Sequence, residues 1–171
     1  GILASFGIGA DTVYLSPAPL YHAAPLRFCM AMHRVGATAV VMEHFDPEQA
    51  LRLIQRHLVT ISQWVPTMFI RMLKLPQAVR DSYDVSSQRV VTHSAAPCPV
   101  AIKRQMLDWW GPILIEYYGA TEGHGGTQID SAQWLAHPGS VGRPVYGSVH
   151  ILDEQGVELP AVVIDGDVAR L

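Results

Sequence analysis

Pro112-Ile113-Leu114-Ile115-Glu116-Tyr117-Tyr118-Gly119-Ala120-Thr121-Glu122-Gly123-His124-Gly125-Gly126-Thr127 is the stretch on which the fold turns. The apolar run to Ile115 follows a Gly111-Pro112 break and reads as a buried strand. Its C-terminal tip then carries an acid, two phenols, a hydroxyl and a second acid before the chain turns glycine-rich. Ligands of open α/β sheets bind outside the carboxyl ends of the strands. There Thr121 can donate to a phosphate oxygen, and Glu122 can hold a hard cation that bridges phosphates. Gly119 and Ala120 let a flat ligand approach the backbone. A polar loop leaving a sheet would read the same way, so the neighbouring segments have to decide.

Upstream, strands and helices alternate. Asp11 to Ser16 is a short strand with an exit loop through Pro25, and residues 25–35 read as a helix that stops at Gly36. Phe28, Met32 and Val35 share a stripe, and the helix is apolar nearly all round, so it is expected to be buried. Thr38 to Met42 reads as a strand covered on both faces. Asp46 is an N-cap, with Pro47 at the first helical position and Gln49 at capping-box spacing, and it opens helix 47–57. Val59 to Val65 is a strand, Thr67 to Leu75 a short helix, and 75–88 a polar surface loop. Arg89 to His93 is a strand with a small-residue exit, Ser94 to Pro99. In helix 99–110, Ile102, Met106 and Trp109 are expected on one face, with Lys103, Arg104 and Asp108 on the other. The β-α alternation predicts an α/β fold with a largely parallel sheet covered by helices. Its exit loops at 16–25, 64–67, 93–99 and 116–127 then share one edge.

Past residue 130 the turn signals crowd together: Pro138-Gly139, Gly142-Arg143-Pro144, Tyr146-Gly147 and Asp153 to Gly156. Val145 to Leu152 reads as a strand and Asp153 to Gly156 as a hairpin turn. Residues 1–130 are therefore assigned to the sheet subdomain, and 131–171 to the start of a small antiparallel, barrel-like one. Gly1 to Gly9 reads as the middle of a longer chain, and Val162 to Leu171 as a strand cut short.

Composition narrows the function. Charged residues are only 16% of 171, against an ordinary 25% or so, which suggests surface buried against further structure. A net charge of −3 argues against a nucleic-acid partner. Two cysteines without a CxxC point to a reduced, cytoplasmic protein. No apolar stretch approaches the ~20 residues of a membrane span, so only peripheral membrane contact is left open. There is no GxxxxGK[ST] loop, no GxSxG elbow and no HExxH among the eight histidines. His22 suits either a pocket wall or a turn, Trp64 either a core or a pocket wall, and Arg143 either a phosphate contact or a solvated turn.

Tyr118-Gly119-Ala120-Thr121-Glu122 resembles the YGxTE motif of the adenylate-forming (AMP-binding) enzymes. Three more matches stand in order. Pro19-Leu20-Tyr21-His22 resembles the PLxH segment, Ser94-Ala95-Ala96-Pro97 the adenine loop, and Gly139 to Pro144 the GSVGRP turn. The wording of Ala95 to Pro99, Trp109 to Pro112 and Glu116 to Tyr118 is most similar to bacterial fatty-acyl-CoA ligases. The resemblance implies an enzyme that makes an acyl-adenylate from a carboxylate and ATP with Mg²⁺, then passes the acyl group to coenzyme A. It puts Thr121 on the α-phosphate, Glu122 on Mg²⁺ and His22 near the carboxylate. Ser94, Ala95, Ala96 and Pro97, with Glu116, Tyr117, Tyr118, Gly119 and Ala120, would hold the nucleotide, and Trp64 and Gly119 would lie near the acyl pocket. Ser94 stands where the family has Gly. The family's Lys-containing phosphate loop, ribose motif and C-terminal domain have no counterpart here, so the piece alone is expected to be inactive and prone to self-association at its sheet edges. Another adenylate-forming branch, acting on aryl, carnitine-type or peptide-synthetase substrates, and a non-catalytic nucleotide-binding module are the alternatives.

Overall fold

The computed structural model describes residues 6–158. The expected strand at Val162 to Leu171 and the first five residues lie outside that range. Seven strands and six helices follow in the order β1 (Val13–Ser16), α1 (Ala23–Val35), β2 (Thr38–Val41), α2 (Pro47–His57), β3 (Ile61–Trp64), α3 (Pro66–Leu73), α4 (Gln77–Arg80), β4 (Val90–His93), α5 (Val100–Trp110), β5 (Leu114–Gly119), β6 (Gly126–Ile129), α6 (Ser131–Ala136) and β7 (Arg143–Tyr146). The strands form one sheet in the order β2-β1-β3-β4-β5-β6-β7. The first five are parallel, and β6 and β7 add on antiparallel. The α/β class with a largely parallel, helix-covered sheet is as the sequence predicts.

Strand alternation sorts the core into two layers. Tyr14 and Ile61 pack against Phe28, Cys29 and Met32 of α1. Leu15, Trp64, Val91 and Leu114 face the other way, against Leu51 and Ile54 of α2, Phe69 and Met72 of α3, and Met106 and Trp110 of α5. Asp46 caps α2 by accepting the Gln49 backbone N–H at 2.7 Å, a contact that contributes roughly 1 kcal/mol. The hairpin turn at Asp153 is also present. Its carboxylate accepts from the backbone of Gln155 and Val157, and Gly156 takes φ 81°.

Several expectations are corrected. Helix α1 is buried on one side only, because one sheet layer covers it. Leu26, Met30 and Val35 are exposed, Met30 at 57%. Strand β2 is an edge strand of the described sheet rather than a doubly covered one, and Val41 is exposed. Lys103 is not on a polar face. It shares the buried side of α5 with Met106, Leu107 and Trp110. The tip beyond Ile115 is strand rather than loop through Gly119, since Glu116 to Gly119 pair with Gly126 to Ile129. The loop at 75–88 contains the single turn α4. Helix α6 sits where only turns were expected, held by a full capping box between Asp130 and Gln133. Regular pairing at 145–152 ends at Tyr146, leaving one bridge between Leu152 and Glu158.

Candidate functional site

The parallel strands end at a common edge, and a cavity of about 340 Å³ opens there. Four segments expected to converge do so: Ala18 to Pro25 after β1, Gln63 and Val65 at β3, Ser94 and Ala95 after β4, and Tyr117 to Thr121 at β5. Arg27 and Phe28 of α1, Phe6 and Tyr146 of β7 complete the wall.

Each wall segment has a local cause. His22 is the N-cap of α1 in extended conformation, so its ring stands clear of the helix, against Tyr21 at 4.5 Å. Ser94 is buried, whereas Ala95 takes φ 76°, a left-handed backbone that costs a non-glycine residue about 1 kcal/mol. That turn brings the backbone of the β4 exit to the cavity. Ala96 and Pro97 continue the loop beyond the lining residues. At the β5 tip, the Arg27 guanidinium donates to the Thr121 carbonyl at 3.1 Å, tying α1 to the loop after the strand. Glu122 follows Thr121, exposed and just outside the lining. Burial pushes the Tyr117 phenol up, with Ser94 and the Arg27 charge opposing. Tyr146 lies across Gly126, where a Cβ would come 2.6 Å from the phenol ring. A glycine there is what lets the ring reach the cavity.

Side-chain parity separates Glu116 and Trp64 from this group. Glu116 points beneath the sheet, where Lys103 Nζ lies 2.6 Å from its Oε2 and His93 Nε2 lies 3.7 Å away. Lys103 Nζ also sits 4.8 Å from the Trp134 ring. Burial holds the Lys103 ammonium below its usual pKa, with Glu116 opposing. Burial and the Lys103 charge hold His93 well below the usual imidazole value. Trp64 is in the core, edge-on to Trp110 at 5.5 Å, with its indole N–H donating to Ser62 at 2.7 Å. Neither Glu116 nor Trp64 lines the cavity.

Arg27, Gln63 and Tyr146 line the cavity but were not singled out from sequence. Arg27 had a signal: it is the lone cation in the otherwise apolar stretch Ala23 to Met32. Gln63 had a weaker one, a polar residue inside a strand. Tyr146 had none, because its position depends on the β6–β7 register.

The chain matches the AMP-binding enzyme family over residues 2–169. The chain belongs to the AMP-binding enzyme family. Among its curated relatives, the long-chain-fatty-acid–CoA ligase of Bacillus subtilis is 29% identical over 94% of the chain. The feruloyl-CoA synthase of an Amycolatopsis species is 30% identical over 93%. The chain spans 28% and 32% of their lengths. The solved structure of ATP-bound MatB from Rhodopseudomonas palustris superposes with a TM-score of 0.77 and 25% identity, covering 94% of this chain and 32% of that one. The AMP-binding fold thus accounts for the whole described sheet. Among the described residues there is no group of three His, Cys, Asp or Glu that could hold a metal. Glu122, the residue after the lining residue Thr121, is a carboxylate of the kind that could contribute to a Mg²⁺ site completed by substrate phosphates and water.

Proposed function

We propose that the protein carrying this chain is an ATP-dependent carboxylate–CoA ligase, activating a fatty or related acid as its acyl-adenylate and passing it to coenzyme A. The observation that carries the reading is the convergence of the β4 exit, the β5 tip and Thr121 on one cavity. Ser94 and Ala95 form one wall for a planar base, and Tyr117 and Tyr118 the other. Thr121 donates to the α-phosphate, and Glu122 holds the Mg²⁺ that neutralises charge on the phosphates. His22 faces the carboxylate. The relatives named for a long-chain fatty acid and for ferulate support the class of a carboxylic acid.

The test is calorimetric titration with a non-hydrolysable acyl-adenylate mimic, with and without Mg²⁺. Removing one hydrogen bond to a charged group costs about 1.5–3 kcal/mol, so Thr121→Ala loses roughly 10- to 100-fold in affinity under both conditions. Glu122→Ala loses affinity only when Mg²⁺ is present. Wild-type affinity in both variants would refute the assignment.

A further inference from the structure

The two groups that the ligase reading assigns to the α-phosphate and to Mg²⁺ stand on a lightly held turn. Thr121, Glu122 and Gly123 are all exposed. Among the described residues, two hydrogen bonds hold them. One is local, from the Gly123 N–H to the Ala120 carbonyl at 3.1 Å. The other crosses the molecule: the Arg27 guanidinium, 94 residues away in sequence, donates to the Thr121 carbonyl at 3.1 Å. An exposed turn with few buried contacts opens locally at little cost. The bond from Arg27 therefore decides where this turn stands relative to the cavity.

Arg27 is itself well placed to do so. Phe28, Cys29 and Met32 bury the adjoining face of α1 against the sheet, with Phe28 stacked on Tyr14 at 5.4 Å. The acceptor is a main-chain carbonyl, so the bond fixes the backbone of Thr121 whatever rotamer its hydroxyl adopts. The same helix begins at His22, its N-cap. At 3.6 residues per turn, His22 and Arg27 lie little more than one turn apart on a single rigid element.

We infer that Arg27 is a positioning residue for adenylate formation: its bond to the Thr121 carbonyl sets α1 against the β5–β6 turn, and so sets the acid's carboxylate, at His22, against the α-phosphate, at Thr121. The inference rests on the carboxylate-ligase reading above. In that step a carboxylate oxygen bonds to the α-phosphorus while the bond to the bridging oxygen breaks, and pyrophosphate leaves with that electron pair. The reacting atoms must be held roughly 3–3.5 Å apart and in line, and a misplacement of about 1 Å can cost about 100-fold in rate.

The experiment uses the full-length protein and follows pyrophosphate release with ATP and the best acid among decanoate, palmitate, benzoate and cinnamate. Arg27→Met should lower kcat about 10- to 100-fold while KM for ATP and for the acid stay within about threefold, because both substrates still bind but meet out of line. Arg27→Lys keeps a cationic donor and should return kcat to within about fivefold of the wild type. Amide hydrogen exchange at Thr121 to Gly123 should speed up in Arg27→Met and stay unchanged in the parallel strands, a readout independent of turnover. Thermal melts check that both variants fold. Unchanged kcat or unchanged exchange at the turn in Arg27→Met, or no recovery in Arg27→Lys, overturns the inference. So does a KM for either substrate that rises about tenfold or more, which would make Arg27 a direct contact of that substrate's anionic group. Absence of turnover by the wild type with every acid refutes the ligase reading, and this inference with it, whereas an active wild type with an indifferent Arg27→Met refutes this inference alone.

Discussion

Replacing Lys103 with Met removes a cation from beneath the candidate site while keeping the side chain's length. Lys103 is fully buried and Glu116 is 6% exposed, with 2.6 Å between Nζ and Oε2. At that distance the gross attraction is roughly 6 kcal/mol for an effective dielectric constant near 20. Most of it is offset by the desolvation of two charges. Without Lys103, however, that desolvation has no counterpart. Of the other titratable neighbours, the Cys98 thiol is pushed up to about 11, chiefly by burial, and His93 is held neutral mainly by burial, which the substitution leaves in place. The expected loss for Lys103→Met is therefore about 3–5 kcal/mol, and Glu116→Leu, which leaves the Lys103 ammonium buried without its partner, should lose a similar amount. The double variant Lys103→Met, Glu116→Leu should return to within about 1 kcal/mol of the wild type, because no charge is left buried. Urea unfolding measures all four proteins, and Trp134, 4.8 Å from the ammonium, reports the change by fluorescence. The coupling energy of the cycle is the quantity to read. Single variants that each lose less than about 1 kcal/mol, or a double variant that loses their sum, would refute the reasoning.

His93 gives a pH prediction. Its folded pKa lies well below 6.5, so between the two values the unfolded chain binds the extra proton and stability falls as the solution is acidified below about pH 6.5. The groups facing the ring are Lys103, Glu116 and Phe69. Urea midpoints of wild type and His93→Leu, compared from pH 8 to pH 5, should diverge by up to about 1.4 kcal/mol per unit, the wild type being the more acid-sensitive. Parallel profiles would show that His93 does not titrate differently on folding. Gly142→Ala is expected to lose more than about 2 kcal/mol, because its Cβ would fall 1.9 Å from the Gln128 carbonyl at φ 84°. The same variant should displace Tyr146 from the cavity and weaken binding of the acyl-adenylate mimic. An unchanged melting temperature would contradict this.

The order and type of most elements were legible from local signals. The Asp46-Pro47 cap, the Gly36 and Gly111 stops and the β-branched runs act within a few residues, so the chain alone decides them. The meeting of exit loops also followed, because parallel strands joined by crossover helices must end at the same edge. Long-range pairing settled the rest. Lys103 stands in line with Met106, Leu107 and Trp110, and only Glu116, 13 residues on and across the layer, makes burial of that charge tolerable. Gly126 and Thr127 looked like loop because the strands that order them are β5, their own hairpin partner, and then β7. Local sequence determined which segments are strand and helix. Tertiary structure decided which side of each strand meets the cavity, putting Tyr117 and Gln63 on it and Glu116 and Trp64 away from it, because side-chain parity acquires a meaning only when one face of the sheet is covered by α1 and the other by α5.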